Sequence, residues 1–115
     1  MHNVTRGTVL AERAELATGL VDRLVGLLGR AELPAGRGLW LEPCNSVHMW
    51  FMRFPIDVVF ASAEGQVVAV VPDLRPWAMT LPRSAARVAL ELPAGTLAKT
   101  GTLPGDRITR EPVCG

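Results

Sequence analysis

Asp57-Val58-Val59-Phe60-Ala61-Ser62-Ala63-Glu64-Gly65-Gln66-Val67-Val68-Ala69-Val70-Val71 decides the fold. Two β-branched runs, Asp57 to Ser62 and Gln66 to Val71, flank Ala63-Glu64-Gly65, a short glycine-containing connection of the kind that closes an antiparallel hairpin. Downstream, Ala86 to Leu92 alternates as a half-buried strand does, with Val88, Leu90 and Leu92 on one face and Ala89 and Glu91 on the other. Arg107 to Arg110 follows the Pro104-Gly105-Asp106 turn as a further strand, and Pro93 to Gly101 has room for one helical turn stopped by Gly101. Between the hairpin and these elements, Val71-Pro72 to Leu81-Pro82 carries three prolines and Trp77 and reads as an ordered loop crossing the surface.

Upstream, Leu39 to Glu42 is a strand that breaks at Pro43, and Ser46 to Phe54 is another that Pro55 interrupts, since proline has no N–H for a ladder. Thr18 has the character of an N-cap, and Leu20, Val21, Leu24, Val25, Leu27 and Leu28 after it keep helical spacing as far as Gly29-Arg30. Ala31 to Gly38 is a loop. Thr8 to Ala14 is expected as an opening strand, although its alanine and glutamate would equally suit a helix. With nine Pro and eleven Gly among 115 residues, few long helices fit. About six short strands and one helix in the N-terminal half predict a mainly β fold, a single-domain antiparallel β-sandwich or partly closed barrel over residues 1–115.

Composition narrows the function classes. A content of 49% hydrophobic and 20% charged residues is that of a globular chain, and twelve basic residues against eleven acidic leave no electrostatic footprint for nucleic acid or an anionic membrane. Eleven of the twelve basic residues are arginine, which fits the codon bias of a GC-rich genome. No run approaches the roughly 20 apolar residues of a membrane span, and Met1 to Gly7 has no apolar stretch of the secretory type, so the cytoplasm is the expected compartment. Two cysteines, Cys44 and Cys114, are too few for a disulfide framework and read as free thiols. No cofactor is implied: Gly26-Leu27-Leu28-Gly29 lies within the helix and Gly36-Arg37-Gly38 precedes a strand, so neither is a phosphate loop.

The residues able to carry chemistry cluster in His48-Met-Trp-Phe-Met-Arg-Phe-Pro-Ile-Asp57. Polar groups in so apolar a segment are either satisfied parts of a core or members of a site, because an unpaired buried polar group is costly. Arg53 and Asp57 share strand parity with each other and not with His48, so Asp57 reaches His48 only if the chain bends at Pro55; otherwise the two are an ion pair or are held by backbone groups. Cys44 and His48 are candidate metal ligands, but zinc needs three or four and no second pair exists. The bland reading, a buried cysteine packing beside a satisfied histidine, is preferred. Ser46 or Ser84 with His48 and Asp57 would make a triad on paper, without a nucleophile elbow or oxyanion hole around either serine. Trp40, Trp50 and Trp77 either fill the core or line a binding face.

Arg23-Leu-Val-Gly-Leu-Leu-Gly-Arg30, Gly38-Leu-Trp-Leu-Glu-Pro-Cys44, Val47-His-Met-Trp-Phe-Met-Arg-Phe-Pro-Ile-Asp-Val-Val-Phe60, Val88-Ala-Leu-Glu-Leu-Pro-Ala-Gly95 and Gly105-Asp106 follow in order the pattern of a bacterial and archaeal family. From Val9 to Arg110 the chain resembles the domain of unknown function 192 family, departing mildly where the family has Gly-Leu-Met and this sequence has Gly26-Leu27-Leu28. The resemblance implies a mainly β, sandwich-like domain with no established activity, in a family many of whose members follow a signal or membrane segment and are exported. Three functions are then compatible with the residues. The preferred one is a non-enzymatic ligand-binding or accessory domain, with His48, Trp50, Arg53, Asp57 and Trp77 lining a shallow site for a small molecule or protein. The others are a small hydrolase or metal-assisted enzyme using His48 and Asp57, and a structural or assembly protein of undefined oligomeric state.

Overall fold

The computed structural model describes residues 1–17, 36–44, 46 and 54–110. Its elements are β1 (His2–Asn3), β2 (Thr8–Val9), β3 (Arg13–Ala17), β4 (Arg37–Leu41), β5 (Ile56–Ala61), β6 (Val67–Leu74), β7 (Val88–Pro93), α1 (Thr96–Thr100) and β8 (Ile108–Thr109). The expected helix over Thr18 to Arg30 and the segment from Val47 to Arg53 lie outside the described residues.

The hairpin is present as β5 and β6, with Val59 opposite Val70 and Phe60 opposite Ala69. At its tip the Ser62 N–H donates to the Gln66 carbonyl at 2.9 Å and the Gly65 N–H to the Ser62 carbonyl at 3.0 Å. Gly65 has φ 89°, a conformation that a Cβ disfavours. A Cβ there would also stand 2.5 Å from the Ile108 carbonyl oxygen. Glycine therefore lets the hairpin tip lie against β8.

Five strands form one sheet in the order β3-β4-β7-β5-β6, and three form a second in the order β2-β1-β8. Every pairing between named strands is antiparallel except β3 with β4, which is parallel. The two sheets meet at the Gln66–Arg107 bridge, where the Val67 N–H donates to the Asp106 carbonyl at 2.7 Å and the Ile108 N–H to the Gly65 carbonyl at 2.8 Å. Among the described residues the sheets do not close into a barrel.

The large sheet carries a core on each face. Leu39, Leu41, Ile56, Val58, Phe60 and Ala89 pack with Cys44, Phe54, Leu74 and Ala86 on one side. Trp40, Val59, Ala61, Val88, Leu90 and Leu92 pack with Met1, Leu10, Ala11, Leu97 and Ile108 on the other, which is where the small sheet and α1 sit. Ile56, Phe60, Leu90 and Leu92 have no exposed surface, and each contributes about 1.5–3 kcal/mol by its burial. Gly38 is required on the second face: a Cβ there would collide with the Met1 methyl and come within 3.0 Å of Ala11 and Leu92.

Three sequence expectations are corrected. The opening strand is two strands, because the Leu10 and Ala11 N–H groups both turn to the Met1 carbonyl at 2.9 and 3.1 Å and take the chain from the small sheet to the large one. β7 is buried on both faces rather than half-buried, since it lies between β4 and β5. β6 runs on through Pro72 to Leu74, which is possible because it is the edge strand of its sheet and a proline there forfeits no inner ladder bond. The helical turn stopped by Gly101 is present as α1, with Gly101 at φ 71°.

The chain's two ends are tied by a buried polar cluster. Asn3 Nδ2 donates to Thr102 Oγ1 at 3.0 Å and to Asp106 Oδ2 at 2.9 Å, while Arg6 Nε and the Leu103 N–H donate to the same oxygen at 2.6 and 3.0 Å. The Arg6 hydrogen bond, more than any other contact, holds the Asp106 carboxyl below its ordinary range, against the opposing effect of burial. A carboxyl whose folded value is depressed adds stability that is fully present above its unfolded value and is lost as pH falls through the folded one. The Asp106→Asn variant is therefore expected to be less stable than the wild type at neutral pH, with the gap closing below about pH 4. Urea denaturation across that range reads this, and a gap independent of pH contradicts it.

Candidate functional site

Asp57 is the one member of the His48 to Asp57 cluster whose placement is described, and it is 1% exposed. It sits on β5 opposite Leu92 of β7 and points to the face covered by α1. Its Oδ2 accepts the Gly95 N–H at 3.1 Å and the Leu97 N–H at 2.8 Å, and its Oδ1 accepts the Asp73 N–H at 2.8 Å. Each partner has a local cause. On β6 the register slips between Ile56–Leu74 and Val58–Val71, so Pro72 and Asp73 together oppose Asp57 in a bulge. Asp73 there has φ 50°, and its amide turns out of the ladder to the carboxylate. At the other end, Gly95 at φ 96° turns the chain from β7 into α1 and leaves the first helical amides without intrahelical acceptors. The Asp57 carboxylate supplies them, as a residue distant in sequence doing the work of a cap.

Beside this contact lies a cleft of about 680 Å³, lined by Thr8 to Glu12, Gly36, Pro93 to Thr96, Lys99 and Thr100. Asp57 bonds the amides of Gly95, which lines the cleft, and of Leu97, just beyond the lining Thr96, and so fixes the backbone of that wall. The cleft combines the exposed Val9, Ala94, Glu12 and Lys99 with three threonines. Thr8 Oγ1 donates to the Thr100 carbonyl at 3.4 Å, Thr96 Oγ1 to the Pro93 carbonyl at 2.7 Å and Thr100 Oγ1 to the Thr96 carbonyl at 2.8 Å. Sequence reasoning missed this cleft. Its walls come from opposite ends of the chain, and no spacing rule connects Thr8–Glu12 with Pro93–Thr100.

Trp77 is 61% exposed and is absent from the cleft lining, while His48, Trp50 and Arg53 lie outside the described residues. Cys44 is buried, and its Sγ donates to the Ser46 carbonyl at 3.0 Å. Among the described residues no three His, Cys, Asp or Glu side chains come together as metal ligands, and no helix is long and apolar enough to cross a membrane.

Removing the Asp57 carboxylate orphans three backbone donors. Asp57→Ala is expected to lower the unfolding free energy by about 1–3 kcal/mol. Urea denaturation measures it, and unchanged stability would speak for a functional rather than a supporting role.

Comparison with known proteins places this geometry among related chains. A family model described as Uncharacterized ACR, DUF192, matches residues 1–110. A UPF0127 protein of Pyrococcus furiosus is 31% identical over 94% of this chain and 95% of its own. A crystal structure of a protein of unknown function from Novosphingobium aromaticivorans superposes with TM-score 0.72 at 28% identity, over 83% of this chain and 72% of that one. A second, from Sinorhizobium meliloti and named a candidate transcription regulator, superposes with TM-score 0.71 at 29% identity, over 82% of this chain and 78% of that one.

Proposed function

The chain belongs to the DUF192 family, which is described only as uncharacterised, and from that premise we propose that it is a non-enzymatic ligand-binding or accessory domain whose site is the cleft beside α1. The observation that carries the reading is the use made of Asp57. A fully buried carboxylate is committed to three backbone amides, that of Gly95 in the wall of the cleft and that of Leu97 one residue beyond the lining Thr96, so its effect is to hold that wall in one shape before a ligand arrives. Pre-organisation of this kind reduces the ordering cost of binding. An acid–base role would require a carboxylate oxygen facing a substrate, and the contacts of Asp57 are with its own chain.

The lining supports a choice of ligand class. A volume of about 680 Å³ lies within the range of about 300–1,000 Å³ for small-molecule sites. Apolar Val9, Pro93 and Ala94 meet the threonine hydroxyls, the Glu12 carboxylate and a single ammonium, that of Lys99. The ligand that fits is a small, partly apolar molecule bearing one carboxylate for Lys99. Asp57 is a positioning residue for this site and touches no ligand itself.

A thermal-shift screen of small carboxylates, sugars and metal ions tests the proposal. A ligand bound by the native state alone stabilises it by about 2.7 kcal/mol at a hundred times its Kd. Small carboxylates are expected to raise the midpoint, and Lys99→Ala to remove that rise while leaving the ligand-free midpoint in place. A screen in which nothing moves the midpoint, or a rise that persists in Lys99→Ala, contradicts it.

A further inference from the structure

On the opposite side of the hairpin from its tip, the segment that follows β6 presents a surface unrelated to the cleft. Trp77, Met79 and Leu81 are 61%, 60% and 79% exposed, while Thr80 between them is 7% exposed and Ala78 packs against the core. Trp77 stands on the turn closed between Arg75 and Ala78, and Met79 and Leu81 alternate with the buried Thr80 on the stretch that follows. The strap is held at both ends: the Ala78 N–H donates to the Arg75 carbonyl at 3.1 Å, and the Ala86 N–H to the Arg83 carbonyl at 2.9 Å. Trp77 itself has φ 69°, a conformation uncommon for a bulky residue, and Pro76 and Pro82 bracket the apolar triplet.

The charge of this region is one-sided. From Leu74 to Leu90 there are three arginines, Arg75, Arg83 and Arg87, and no carboxylate; all three arginines are exposed. The near-neutral total of the chain conceals a local cationic segment. The Arg83 guanidinium carbon lies 5.7 Å from the centre of the Phe60 ring, next in sequence to the end of the strap.

We propose that this strap docks on an anionic lipid surface, with Trp77, Met79 and Leu81 entering the boundary between headgroups and acyl chains and the arginines meeting the lipid phosphates. Exposed apolar side chains among cations are the pattern that gains from both parts of such a surface. A nucleic acid would reward the arginines and Trp77, but Met79 and Leu81 have no π-face on which a base could stack. Fluid hydrocarbon accepts projecting side chains without a complementary groove, and a strap already fixed by its turns and prolines loses little freedom on binding.

The test is co-sedimentation of the full chain with vesicles of phosphatidylcholine alone or mixed with phosphatidylglycerol. Binding is expected with the anionic vesicles only and to weaken as salt is added. Trp77→Ser with Leu81→Ser is expected to weaken it by about tenfold, and replacement of any one of the three arginines by Gln by about fivefold. These side chains are exposed, so the thermal midpoint should stay near that of the wild type. Lys99→Ala should bind vesicles as the wild type does, which separates this surface from the cleft. No sedimentation with either vesicle, or equal binding by the wild type and the double variant, overturns the proposal. So does labelled single-stranded DNA binding at the strap without vesicle binding, or a dimer seen by light scattering that Leu81→Glu dissociates while vesicles are ignored.

Discussion

The Asp57 carboxylate ties the bulge of β6 at Asp73 to the turn at Gly95 and the start of α1 at Leu97. Each exposes an amide that its own secondary structure cannot satisfy. In β6 the bulge takes Asp73 out of the ladder, and at α1 the helix is five residues long and too short to be stable by itself. One buried charge meets all three needs, and hydrogen bonds to an ionised acceptor are the strong ones. Its burial is tolerable because it is so fully paired, which is the condition under which a buried charge persists.

From this contact the rest of the architecture follows in layers. β5 and β7 form the inside of the large sheet and are buried along their length, so the sheet needs cover on both faces. On the Asp57 face the cover is α1 and the small sheet, with Leu97, Ile108, Leu10 and Met1 packed on Val59, Leu90 and Leu92. The Asn3–Asp106 cluster then ties the first strand to the turn before the last. The cleft is the gap left between the Thr8–Glu12 segment and the Pro93–Thr100 segment, which touch at the Thr8–Thr100 hydrogen bond. Its shape therefore depends on the same three hydrogen bonds that satisfy the backbone.

Much of the fold was legible in the sequence. The hairpin was readable because β-branched runs and a glycine turn are local signals, and the helical turn because Gly101 stops it. What escaped depended on neighbours. The alternation of Val88 to Leu92 describes a strand with one wet face, but β4 and β5 flank it and bury Ala89 and Glu91 as well. Pro72 reads as the end of a strand unless the strand is known to lie at an edge. For Asp57 the sequence posed the right question, since a carboxylate in an apolar run must be paired, and left His48, Arg53 and unnamed backbone groups open as its partners. Its partners among the described residues are backbone amides, which have no identity in a sequence and come from segments far along the chain. The cleft was hidden for the same reason.

Amide hydrogen exchange at Asp73, Gly95 and Leu97 tests the account most directly, because it reads the three hydrogen bonds one at a time. In the wild type all three amides should be protected. In Asp57→Ala all three should lose protection together, while the β5–β7 ladder amides, around Val59 and Leu90, keep theirs. If the three amides stay protected without the carboxylate, or were never protected with it, Asp57 does not hold the wall of the cleft and the account fails.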